Sequence, residues 1–173
     1  TVTRDSQRSR VYDAEHQVRT MFDRADERGL RTVEILGSTV TLPIERRFAS
    51  LDSVQSYVDG VTALSRVRAE WPRAAVPVRV RARSGAGAAH YEVDTATIAV
   101  PLHVRGHAWA LREMVVLHEI AHHLEPGDPD DHREPAHGGA FVDRYLTLVS
   151  EIIGAEAGFV LRATMHSCGV RIG

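Results

Sequence analysis

AWALREMVVLHEIAHHL, residues Ala108 to Leu124, is apolar nearly all the way round a helical wheel, and its reading decides the fold. A helix without a solvated face belongs in the middle of a domain, so the polar residues it carries are the ones to explain. His118, Glu119 and His122 spell the pattern HExxH. A spacing of four sets both imidazoles on one face, one turn apart, where both can reach a single Zn2+ at ~2.0–2.1 Å. Glu119, one residue further round, can stand beside a zinc-held water without ligating. Zinc lowers that water's pKa to about 7, and the carboxylate takes its proton as it attacks a carbonyl. The motif predicts His118 and His122 as metal ligands and Glu119 as the general base.

A catalytic zinc needs a third protein ligand and an open fourth position. His137 leads, in the run His137, Gly138, Gly139, Ala140, Phe141, where the glycines would let the backbone pass close to a metal before a helix begins. Asp128 is a rival, at the last position of the metzincin pattern HExxHxxGxxD, with Met165 as a possible Met-turn. That pattern wants a glycine where this chain has Glu125. Glu134, in a Pro-flanked loop, is a weaker third choice.

Working outward, residues 6–28 carry Val11, Ala14, Val18, Phe22 and Ala25 at helical spacing, with Gly29 as the stop. Thr32–Leu36 and Thr39–Leu42 read as a hairpin turning at Gly37 and Ser38. A helix from Ser50, with Leu51, Val54, Val58, Val61 and Leu64 on one face, should run to Trp71 and Pro72. Val76–Arg83 alternates as a strand with Arg79, Arg81 and Arg83 on one face. Ala89–Val93 and Thr97–Val100 form two more strands joined at Asp94 and Thr95. After an acidic, Pro-rich loop, Glu125–Ala136, a helix spans about Gly139–Ile153, and a short one surrounds Phe159–Thr164. The order predicts an α+β fold: one domain over 1–173, with a small mixed sheet and a central HExxH helix.

Composition sets the bounds. At 173 residues, 43% hydrophobic and 25% charged, the chain can bury a core and is not a disordered tract. No apolar run approaches the ~18 residues that a bilayer span needs, so no membrane partner is expected. A formal net charge of −2 argues against nucleic acid as partner. One cysteine, Cys168, makes no internal disulfide, and the first ten residues hold no apolar signal segment, so a cytoplasmic protein is expected. All 21 basic residues are Arg, which removes lysine as Schiff base or phosphate ligand; seven of the 10 histidines lie from His90 to His132.

Other features carry less. His103 and His107 share a spacing of four but sit beside Gly106 and Pro101, and read as exposed. His123 points off the His122 face and reads as core, or as a brace behind the ligands. Gly85, Gly87 and His90 miss a dinucleotide-binding fingerprint, lacking its third glycine and its following helix. The arginines from Arg66 to Arg83 read as a solvated face. For an oxyanion donor the candidates are Tyr91, His103, His107 and Tyr145.

The HExxH of 118–122 followed by the HGxxF of 137–141 resembles a family of small actinobacterial metallohydrolases. The likeness runs from Arg4–Asp13 through His90–Glu92 to Glu156–Arg162. The same core is similar to that of SprT-like zincins. The resemblance implies a zincin-like fold, zinc on His118, His122 and His137, and Glu119 as general base. It implies no substrate. By analogy with zincins, Ile98–Val100 would be a sheet edge that pairs with an extended peptide. The expected function is therefore zinc-dependent hydrolysis of a peptide or protein substrate. The alternative is a non-catalytic, zinc-stabilised binding or regulatory protein, for which a carboxylate at 119 would have no use.

Overall fold

Val11, Ala14, Val18, Phe22 and Ala25, the helical-period residues near the start of the chain, are all buried, and they make α1 (Arg8–Arg28). The computed structural model describes residues 4–85, 87–102, 111–127 and 134–173. Its elements are mixed α and β, and they gather into two compact units, 1–45 with 132–173 and 46–131.

In the first unit α1 stops at Gly29, whose left-handed backbone (φ 68°) returns its N–H to the Ala25 carbonyl. The helix packs on α6 (Ala155–Ser167), which packs on α5 (Gly139–Ile152). Gly154, at φ 141°, separates those two. Their approach is close: a Cβ on Gly158 would lie 1.8 Å from Ser150 Oγ. The sequence predicts only a short helix at Phe159–Thr164, whereas α6 has 13 residues. Its buried face includes Ala157, Gly158 and Ala163, which carry little apolar signal. β1 (Thr32–Ile35) and β2 (Ser38–Thr41) form the expected antiparallel hairpin, with Ile35 opposite Ser38. The turn is Leu36 and Gly37, one residue earlier than the sequence suggested. Both have positive φ, 50° and 77°, as a two-residue turn of the primed type requires.

In the second unit Ser50 caps α2 (Leu51–Ala63) and exchanges hydrogen bonds with Ser53. The single helix expected to reach Trp71 is instead broken at Leu64 (ψ 131°), followed by α3 (Ser65–Glu70) and a 3-10 turn at Pro72–Ala75. Arg68 supports the break by donating Nε–H to the Thr62 carbonyl at 3.0 Å, satisfying an acceptor at the end of α2. β3 (Arg79–Arg83), β4 (His90–Glu92) and β5 (Thr97–Pro101) form a mixed sheet in the order β3-β5-β4. β5 runs parallel to β3 and antiparallel to β4. This corrects the expectation of an edge at Ile98–Val100. β5 is the central strand, buried along its length, paired with β3 over Thr97–Pro101 and with β4 over 97–99.

The HExxH helix is α4 (Glu113–His123). Arg112 gives it no side-chain cap, and Glu113 fixes its start instead. The Glu113 N–H donates to the Arg46 carbonyl (3.1 Å), and its carboxylate accepts from the Arg46 N–H (2.8 Å) and the Tyr57 hydroxyl (2.9 Å). An acid in the first turn also faces the positive end of the helix dipole. Ten of the eleven residues of α4 are buried. Among the described residues no helix is long and apolar enough to cross a membrane.

Leu36 is 73% exposed and holds a left-handed conformation that costs an L side chain about 1 kcal/mol. Leu36→Asn should therefore stabilise the protein by about 0.5–1 kcal/mol, and Leu36→Val should destabilise it. Urea unfolding midpoints test both.

Candidate functional site

α4 brings its predicted pair together. The Nε2 atoms of His118 and His122 lie 3.2 Å apart, with ring centroids at 4.9 Å. Two nitrogens bound at ~2.05 Å to one tetrahedral ion stand about 3.3 Å apart, so the pair is already spaced as zinc ligands would be. His118 is 3% exposed and Glu119 4%, and His122 is half-buried. Glu119 sits about 100° round the helix from His118. Residues of this kind in an otherwise apolar helix cost several kcal/mol to bury unless they are partnered, and among the described residues no buried polar side-chain atom lacks a partner.

His123 behaves differently from its neighbour. It is fully buried, and both ring nitrogens are used: Nε2 lies 3.1 Å from the Val76 carbonyl and Nδ1 2.8 Å from the Tyr91 hydroxyl. A carbonyl only accepts, so Nε2 carries the proton and the Tyr91 O–H donates to Nδ1. Arg73 completes the network, donating Nη2–H to the Tyr91 oxygen and Nε–H to the His123 carbonyl. Burial, and then the Arg73 charge, push the His123 pKa below the usual histidine value. The expectation of a core or bracing residue is met on the core side.

In the other unit, His137 is 5% exposed, just ahead of α5. Its Nδ1 lies 2.7 Å from Asp5 Oδ2, and its backbone N–H donates to Asp5 Oδ1 at 3.3 Å. Gln7 donates Nε2–H to the His137 carbonyl (3.0 Å) and accepts from the Arg171 N–H. The rings of Tyr12 and Phe141 flank the imidazole at 5.3 and 5.1 Å. The glycines after it are places of close backbone approach. A Cβ on Gly138 would press on the Pro135 carbonyl at 3.1 Å, and one on Gly139 would strike the Gly173 carbonyl at 2.4 Å.

Of the proposed oxyanion donors, the Tyr91 hydroxyl is held by His123 and Arg73. Tyr145 bonds Glu15 and is fully enclosed, and burial pushes its pKa well above the ordinary tyrosine value. His103, His107 and Asp128 lie outside the described residues. Glu134 is exposed. Sequence reasoning missed Asp5 and Gln7. Both lie in the Arg4–Asp13 stretch that carries part of the family resemblance, but no residue spacing ties them to His137.

No family model, curated protein or solved structure matches this chain.

Tyr91→Phe keeps the ring but leaves the buried His123 Nδ1 without its donor, an omission that costs about 1–3 kcal/mol. A loss of that size in thermal or urea unfolding is expected, and an unchanged midpoint would remove Tyr91 from the network.

Proposed function

We propose that this protein is a zinc-dependent hydrolase acting on peptide bonds, with His118, His122 and His137 as metal ligands and Glu119 as general base. The observation that carries this reading is the 3.2 Å separation of the His118 and His122 Nε2 atoms on a buried helix that also holds Glu119. The donor set fits zinc: neutral imidazoles are its ordinary ligands, and two of the three here are almost wholly withdrawn from water. His137 adds the carboxylate partner on Nδ1 that metal-binding histidines commonly have. The resemblance of the HExxH and HGxxF segments to small actinobacterial metallohydrolases and SprT-like zincins points the same way.

Bound zinc would supply Lewis acidity, making water nucleophilic near neutral pH and polarising a carbonyl. The chain's own part is positioning and proton transfer. Three neutral histidines leave the full dipositive charge of the ion uncompensated, which favours an anionic transition state. Glu119 takes a proton onto its carboxylate as water attacks, then returns it to the departing amine nitrogen.

Three substitutions test the assignment. Purified protein should hold about one zinc per chain by metal analysis. His137→Ala should lose it, and Asp128→Ala should keep it; the reverse would assign the third ligand to the metzincin pattern. Glu119→Gln should retain zinc while cleavage of a peptide library falls by two orders of magnitude or more. Cleavage unchanged in that variant would remove Glu119 as base. A zinc-loaded wild type that cleaves nothing would favour the binding-protein alternative.

A further inference from the structure

We infer that Asp5 is a positioning residue for the metal: it holds His137 in the tautomer and ring orientation that present Nε2 as the ligand atom. The inference rests on the zinc reading above and adds to it a residue outside the HExxH and HGxxF segments. Asp5 grips His137 twice, one carboxylate oxygen on the backbone N–H and the other on Nδ1 at 2.7 Å. A carboxylate only accepts, so Nδ1 must carry the proton, and the lone pair of the neutral ring is at Nε2. With both the main chain and the ring tied to one side chain, rotation about the His137 side chain is restricted. Tyr12 and Phe141 flank the ring and narrow the choice further.

The chemistry favours a metal-directed purpose over a purely structural one. An isolated imidazole prefers its proton on Nε2, the tautomer that cannot ligate through that atom. Asp5 reverses the preference. The partial negative charge drawn onto the ring also raises its basicity toward a cation, and such carboxylate partners typically change metal affinity 10–100-fold. The Asp5 side chain is 23% exposed against 7% for the imidazole, so the carboxylate keeps part of its hydration. A partner needed only to satisfy a buried N–H could as well have been a neutral carbonyl.

The test is Zn2+ affinity by chelator competition on the full chain, for wild type, Asp5→Asn, Asp5→Ala and His137→Ala, alongside imidazole 15N spectra of the zinc-free wild type. Asp5→Ala should weaken zinc 10–100-fold, with Asp5→Asn between it and wild type because an amide oxygen still accepts from Nδ1. The wild-type spectrum should place the His137 proton on Nδ1 before any metal is added. If His137→Ala loses zinc while Asp5→Ala binds within twofold of wild type, the inference is overturned and the zinc reading stands. If His137→Ala binds as wild type does, the ligand assignment fails and takes the inference with it. Should the Asp5 variants not fold, the wild-type spectrum decides: an Nε2–H tautomer overturns the inference.

Discussion

A helix buried on almost every side leaves its polar side chains to find partners within the protein, and this constraint organises the 46–131 unit. At the N-terminus of α4 the demand is met by Glu113, which joins Arg46 and Tyr57 and thereby ties the helix to the chain ahead of α2. At the C-terminal end two forces compete over His123. The helix dipole favours a cation in the last turn by about 0.3–1 kcal/mol. Burying an unpaired charge costs several kcal/mol, and Arg73 adds repulsion. Burial wins, and the ring stays neutral with both nitrogens bonded.

That outcome separates two histidines that are adjacent in sequence and chemically identical. His123 spends its ring on Tyr91 and Val76, whereas His122 turns its Nε2 toward His118. The difference is the helical rotation of about 100° per residue. One position faces the sheet side through β4, and the next faces the residue one turn back. Only the second arrangement leaves two nitrogens converging on a common point, which is the geometric requirement for sharing an ion.

The sequence made legible whatever depends on apolar period and local turn chemistry. The buried residues of α1, the hairpin, three strands in order and the buried character of α4 all follow from spacing. Elements that depend on contact with distant residues were not legible. The break at Leu64 needs Arg68 to take the Thr62 carbonyl, and no rule of period contains that. The length of α6 is hidden because small residues allow it to approach α5 closely. β5 was misplaced at an edge by analogy with other folds, although its run of five buried residues is the pattern of a strand flanked on both sides. The glycines after His137 are places of close approach, Gly138 to the Pro135 carbonyl and Gly139 to the Gly173 backbone.

The least legible feature is the pairing of Asp5 with His137, separated by 132 positions. Closing a loop of that length costs on the order of 4 kcal/mol in chain entropy, while a hydrogen bond to a charged group returns about 1.5–3 kcal/mol. The pair therefore does not gather the ends of the first unit. Packing of α1 on α6, with Val11, Ala14, Val18 and Phe22 buried, supplies that energy. On the zinc reading proposed above, what the carboxylate adds to this buried imidazole is orientation: it holds the proton on Nδ1 and fixes the main chain beside it. His123 differs in that its ring nitrogens meet a carbonyl and a hydroxyl rather than a carboxylate, while the nearby charge of Arg73 disfavours protonation of the ring.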